Sequence, residues 1–180
     1  SRNLATEKTL MLNEHIEPDH AREYKAIFSW APSRSLICSI RAWHISRSKK
    51  SLLGTIGCKV AVLRHRFWSI ITGADIPVNC NIGAGILMPH PNGIVIHPAA
   101  EIGANCLIFQ QVTIGANERG EVPKIGNHVD IGAGAKIIGG VIIGDHSLIG
   151  ANAVVVSTVP PWHVAVGVPA VSRKRKDAGV

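Results

Sequence analysis

The sequence predicts a mainly β protein, a left-handed parallel β-helix of hexapeptide repeats preceded by a short helical region. Three observations predict it. An aliphatic residue recurs at every sixth position, through Ile76, Ile82, Met88 and Ile94, then Ile96, Ile102, Ile108 and Ile114, then from Ile125 through Ile131, Ile137, Ile143 and Ile149 to Val155. Gly directly follows many of them, as at Ile82-Gly83, Ile125-Gly126 and Ile149-Gly150. Aromatic residues make up only 4% of the 180-residue chain, which suits a core of small stacked aliphatics. Neither an amphipathic helix nor an alternating strand keeps a period of six, whereas a fixed short repeat marks a solenoid. The left hand departs from the right-handed rule for parallel crossovers.

Taken in order, residues 1–73 form an N-terminal arm and helices. The first 25 residues are polar, a frayed arm or a short helix. Residues 33–72 read as helical, with Ser33 as N-cap and Gly54 and Gly57 breaking the run in two. Leu52–Thr72 is the most apolar stretch outside the repeat, but Lys59, Arg64, His65 and Arg66 interrupt it. It reads as an amphipathic helix, since a bilayer span needs about 20 uninterrupted apolar residues. No membrane span is expected, and contact with a membrane surface is left open. Residues 74–159 form the β-helix, Pro160-Pro161 ends it, and 160–180 are a tail.

Cys38, Cys58, Cys80 and Cys106 show no metal or CxxC spacing. Cys80 and Cys106 take the fifth position of a hexad, where Ala100, Ala135, Ser147 and Ala153 also fall, and read as small core residues. No metal is expected. Unpaired thiols and a polar N-terminus without a secretory pattern point to the cytoplasm. The formal charge of +7 gathers at Arg34–Lys50, Arg64–Arg66 and Arg173–Lys176. No nucleic-acid module or interleaved aromatics accompany it, so nucleic acid is not expected. A polyanionic ligand and simple solvation both fit.

The hexads group into coils of 18 residues with three faces. The first carries Ile76, Ile96, Ile114, Ile137 and Val155, the second Ile82, Ile102, Ile125 and Ile143, the third Met88, Ile108, Ile131 and Ile149. Two insertions break the count, one around Pro91-Asn92-Gly93 and one in 116–123. Solenoid insertions map to loops, often on the functional face. The column His90, Gln110, Ala133, Ala151 then describes a shallow groove with a histidine about 14 Å below its small residues. A long acyl carrier in that groove would point its reactive end at His90.

Transfer of an acyl group from a thioester to a hydroxyl needs a base near neutral pKa, the usual role of histidine. Of nine histidines, His15 and His20 lie in the arm and His163 in the tail. His128 and His146 share a corner column with Asn105 and read as a solvated or subunit-facing ladder. Of the histidines in the repeat, His90 and His97 remain, both beside the first loop. His90, held between Pro89 and Pro91, is the stiffer, and Asp75 is the nearest acid to orient it.

The runs Gly73-Ala74-Asp75-Ile76 and Gly85–Ile96 (with Met88-Pro89-His90-Pro91-Asn92-Gly93 inside it) resemble the serine acetyltransferase family. So do Gln111-Val112-Thr113-Ile114-Gly115, Pro123-Lys124-Ile125-Gly126, Ile131–Ile137 and the tail pieces Val159-Pro160-Pro161 and Gly167-Val168-Pro169-Ala170. The resemblance implies an Asp–His dyad at Asp75 and His90, which keep the family's fifteen-residue spacing. It implies acetyl-CoA as cosubstrate, lying against Gly115 and its neighbour Ala116, Ala133 and Ala151. It also implies a homotrimer with sites between neighbouring prisms.

The departures matter equally. Pro89 stands where the family has Asp before the catalytic His. Glu121 and Val122 stand where it has an Arg-His pair that grips the amino acid's carboxylate. A carboxylate substrate beside Glu121 meets repulsion rather than a clamp. The expected function is therefore an acetyl-CoA-dependent O-acetyltransferase acting on a sugar hydroxyl of a surface polysaccharide or its precursor. The alternative is serine O-acetylation. Arg41, Arg64 or Arg119 are candidates for a replacement cation. A non-catalytic trimeric scaffold is disfavoured, because a scaffold has no reason to keep Asp75, His90 and a small-residue groove together.

Overall fold

The computed structural model describes residues 16–25 and 29–175. Two helices, α1 (Pro32–Ser48) and α2 (Leu52–Thr72), precede thirteen short strands. The strands form three sheets: β1 (Asn81–Ile82), β3 (Glu101–Ile102), β6 (Lys124–Ile125) and β9 (Ile142–Ile143); then β2 (Val95–Ile96), β5 (Thr113–Gly115), β8 (Lys136–Ile138) and β11 (Val154–Val155); then β4 (Leu107–Ile108), β7 (Asp130–Ile131), β10 (Leu148–Ile149), β12 (His163–Gly167) and β13 (Ala170–Lys174). Each strand from β1 to β12 pairs in parallel with the one a coil away, so the chain winds as a left-handed parallel β-helix.

The register is the one the repeat predicts. Ile96, Ile114, Ile137 and Val155 stack on the first face, Ile82, Ile102, Ile125 and Ile143 on the second, and Ile108, Ile131 and Ile149 on the third. Asp75 bridges Val95 and Leu87 bridges Leu107, which brings Ile76 and Met88 into line. These aliphatics and the small residues Cys80, Ala100, Cys106, Ala135, Ser147 and Ala153 are all buried. Burial pushes the thiols of Cys80 and Cys106 up to about 12, so both are inert core atoms.

Corners need left-handed backbone, which L side chains adopt at a cost. One column of corners contains Gly85, Asn105, His128, His146 and Trp162, all at positive φ. At Gly85 a Cβ would stand 2.0 Å from the Asn105 Oδ1, so a side chain there would displace Asn105. Above it the rings of His128 and His146 stack at 5.0 Å, and those of His146 and Trp162 at 4.1 Å. The predicted histidine ladder exists, and the arm covers its lower end. The Asp19 amide donates to Asn105 Oδ1 (2.7 Å), Asn105 Nδ2 donates to the Glu17 carbonyl (3.0 Å), and Arg22 donates to the Asn105 carbonyl. His15 lies outside the described residues, as do 1–14.

The helical boundaries differ from those the sequence suggests. Pro32 occupies the first turn of α1, where its missing N–H costs nothing, so Ser33 is inside the helix. The break falls at Lys49–Lys50, and Ser51 caps α2 by accepting from the Gly54 amide (3.1 Å). Gly54 and Gly57 are helical. They let the two helices approach, since a Cβ on Gly54 would meet the Lys49 carbonyl at 2.2 Å and one on Gly57 the Ser46 Oγ at 2.6 Å.

The helices close the open lower end of the solenoid, where the first coil has no neighbour to receive its carbonyls. Leu36, Ile37 and Ile40 of α1 join the core. Arg41 donates to the carbonyls of Ile82 and Gly83 (2.6 Å for the latter) and to Glu23 (2.8 and 3.2 Å). Glu23 in turn accepts from the Ile86 amide (3.1 Å). His44 bonds the Cys80 carbonyl (3.1 Å) and His65 the Ile76 carbonyl (2.7 Å). At the upper end the strands run past residue 159: β12 stacks on β10, Ala165 over Ile149, and β13 folds back antiparallel on β12.

Candidate active site

The first insertion lifts His90 out of the ladder. The Leu87 carbonyl still accepts from Ile108, and pairing resumes where the Asn92 carbonyl accepts from Gln111 (2.9 Å). Residues 89–91 lie between these bonds as a bulge, and His90 stands exposed on it. The sequence column His90, Gln110, Ala133, Ala151 is corrected accordingly. Gly134 donates to the Gln110 carbonyl and Asn152 to the Ala133 carbonyl, so the stacked column is Asn92, Gln110, Ala133, Ala151. The insertion shifts the register by two residues, and His90 sits beside the foot of the column rather than in it.

Asp75 reaches the same corner from the start of the same coil. Its amide donates to the Ile94 carbonyl (2.8 Å), its carbonyl accepts from Ile96 (3.0 Å), and Gly93 donates to the Gly73 carbonyl (2.9 Å). Glycine suits this turn: φ is +65°, a conformation that strains L side chains, and a Cβ would push on the Asn92 Nδ2 at 2.7 Å. Asp75 and His90 thus flank one turn, both solvent-facing, with no hydrogen bond between their side chains among the described residues. His97 is elsewhere. It follows β2 at the next corner, where its Nδ1 accepts from the Ala99 amide (3.2 Å) and so caps a turn.

Of the residues that the resemblance assigns to the acyl carrier, Ala133 and Ala151 share the corner that leads into the first face. Gly115 and Ala116 lie at the far edge of that face, Gly115 opposite Ile138 at the end of β8. The fold brings each pair together but sets the pairs on opposite edges. Two residues of this corner escape sequence reasoning. Asn92 packs over Gly73, and Gln110 buries its Oε1 with no hydrogen-bond partner among the described residues. Gln110 was legible only as the polar residue directly below the two alanines of its column.

The second insertion is a loop tied to itself. The Asn117 Oδ1 accepts from the Arg119 and Glu121 amides (3.0 Å each), and its Nδ2 donates to the Glu121 carboxylate (2.6 Å). Arg41, a candidate replacement cation, is spent on Glu23 and the first-coil carbonyls. Arg64 lies exposed on α2, and Arg119 is exposed on the loop. Among the described residues no cluster of three or more His, Cys, Asp or Glu is placed to hold a metal.

Comparison with known proteins agrees with this architecture. Residues 123–157 match the bacterial transferase hexapeptide (six repeats) family. The chain is 34% identical over 156 residues to a serine acetyltransferase of Staphylococcus xylosus, covering 85% of this chain and 69% of that one. It is 47% identical over 108 residues to the serine acetyltransferase of Mycobacterium tuberculosis, covering 57% of this chain and 46% of that one. Among solved structures it superimposes on a serine acetyltransferase in complex with CoA with a TM-score of 0.66 at 33% identity, covering 80% of this chain and 58% of the other. The chain spans about half the length of several relatives, from 46% to 60%. A hexapeptide solenoid, an Asp–His pair at the first corner and a relative aligned along most of both chains agree: the chain belongs to the serine acetyltransferase family of hexapeptide-repeat acyltransferases.

Proposed function

We propose that this chain is an acetyl-CoA-dependent O-acetyltransferase and that its acceptor is the hydroxyl of L-serine. The observation that carries the reaction is the first corner, where Asp75 and His90 flank one turn at the foot of a column of small residues. His90 removes the acceptor's proton as its oxygen attacks the thioester carbonyl. The C–S bond breaks, the CoA thiolate leaves, and the imidazolium returns the proton to sulfur. Asp75, across the turn, stabilises the imidazolium by its charge. Gly115, Ala116, Ala133 and Ala151 offer small surfaces and backbone groups to the carrier. The working assembly in this reading is a cytoplasmic homotrimer, in which the edges of neighbouring prisms complete the cleft.

Serine as acceptor rests on the relatives, which carry that activity in their names. One observation favours a second reading, the sugar acceptor expected from sequence. Glu121 and Val122 stand where a carboxylate clamp is needed, and the Glu121 carboxylate is held by Asn117. A neutral sugar needs no clamp. Thiol release from acetyl-CoA, measured with L-serine and with a panel of free and nucleotide-linked sugars, decides between them. We expect turnover with L-serine at least about tenfold above any sugar, a difference of about 1.4 kcal/mol in barrier. The reverse order would overturn the serine assignment, and no release with any acceptor would overturn the enzyme itself.

A further inference from the structure

We propose that the outer face of α2 docks flat on an anionic lipid bilayer. Leu53, Ile56, Val60, Leu63, Phe67 and Ile70 recur at alternating intervals of three and four, so they form one stripe along the helix. All are exposed, from 50% at Ile56 to 81% at Ile70. The opposite side, with Gly54, Ala61, His65 and Thr72, is buried. The apolar stripe therefore faces outward, contrary to what solvent alone favours, and runs about 26 Å.

Charge identifies what covers it. Between Glu23 and Asp75 the chain has nine Lys and Arg and no acidic residue. Lys59 and Arg66 edge one side of the stripe and Arg64 the other, and none of them is in an ion pair among the described residues. Pairing the stripe with a second copy, parallel or antiparallel, sets these cations against one another. An anionic surface meets them all, with the stripe entering the headgroup boundary and the long side chains reaching up to lipid phosphates. At the start of the stripe, the elbow between the helices opens a cleft of about 550 Å3 lined by Arg47, Lys49 and Lys50. Towards its end Trp30, 74% exposed, packs edge-on against Trp68, the kind of aromatic pair that sits well at headgroup level. No helix among the described residues is long and apolar enough to cross the bilayer, so the contact is with its surface.

The test is flotation of the full chain with vesicles of phosphatidylcholine alone or with about 30 mol% phosphatidylglycerol. We expect flotation with the anionic vesicles at about 0.1 M salt, and loss of it at about 1 M salt or with the neutral vesicles. Leu63→Glu should abolish it. The triple change Lys59→Gln, Arg64→Gln, Arg66→Gln should weaken partitioning on the order of 100-fold. Circular dichroism and thermal melts confirm that each variant is folded. Absence of flotation, equal flotation with neutral vesicles, or flotation unchanged by Leu63→Glu overturns the proposal. So does light scattering in which Leu63→Glu lowers the particle mass while lipid binding is absent, since the stripe then joins copies of the chain.

Discussion

His90 stands between two prolines on a bulge that neither neighbouring coil supports, so its position depends on local stiffness. His90→Ala is expected to lower turnover by roughly 10²–10⁴-fold without unfolding the chain. Asp75→Asn is expected to lower it less, because the base itself remains. Steady-state rates with thermal melts check both, and a larger loss from His97→Ala would move the base to the other corner. A second prediction concerns His65. Burial holds its pKa below the ordinary 6.5, outweighing the hydrogen bond to the Ile76 carbonyl that raises it. His128 is likewise lowered, by burial and then by His146 and Arg22. In each case the unfolded chain binds protons more readily than the folded one, so stability is full above about pH 6.5 and falls as pH drops below it. The melting temperature should be lower near pH 5.5 than near pH 7.5, and His65→Gln should reduce that difference. A flat profile would show that burial does not control these rings.

At the scale of elements, the cap formed by α1 decides whether the first coil is viable. A solenoid buries its core only between neighbours, so an end coil needs a substitute for the missing one. Here Arg41 supplies donors to two carbonyls and to Glu23, and Glu23 returns an acceptor to the Ile86 amide. Arg41→Met removes the donors and leaves the carboxylate half-buried without its partner. We expect a loss of about 3 kcal/mol or more, read as a fall in melting temperature. Because the first coil also carries Asp75 and His90, activity should decay at temperatures where the upper coils still show their β signal. Loss of both together would mean that the solenoid melts as one unit.

For the whole molecule, the edges of the prism matter more than its interior. Gly115 and Ala116 sit at one edge of the first face, and Ala133 and Ala151 at the other, so in the proposed reading a cleft enclosing the carrier would form only where prisms are set side by side. The proposed homotrimer should appear by light scattering as a particle of about three times the 19.2 kDa chain. A fully active monomer would remove the argument for a shared cleft.

How much of this was written in the chain depends on which residues are asked about. The sequence by itself determined the winding and the stacking partners, because Ile82, Ile102, Ile125 and Ile143 can be buried together only if each coil repeats the last. It also offered His90 as a candidate base through Pro89-His90-Pro91, with Asp75 as its nearest acid, and the resemblance to the family paired the two. It misplaced the helix break, because Gly54 and Gly57 signal a turn locally but serve a close helix crossing that only packing reveals. It placed His90 in the Gln110 column, because an insertion can be absorbed on either side of a corner and only the hydrogen bond from Gln111 to Asn92 chooses. The role of Arg41, with its partner Glu23 eighteen residues away and carbonyls more than forty away, was equally hidden. Periodic burial is a property of neighbours in sequence and can be read there, whereas satisfying an orphaned carbonyl depends on which distant side chain the fold happens to bring to it.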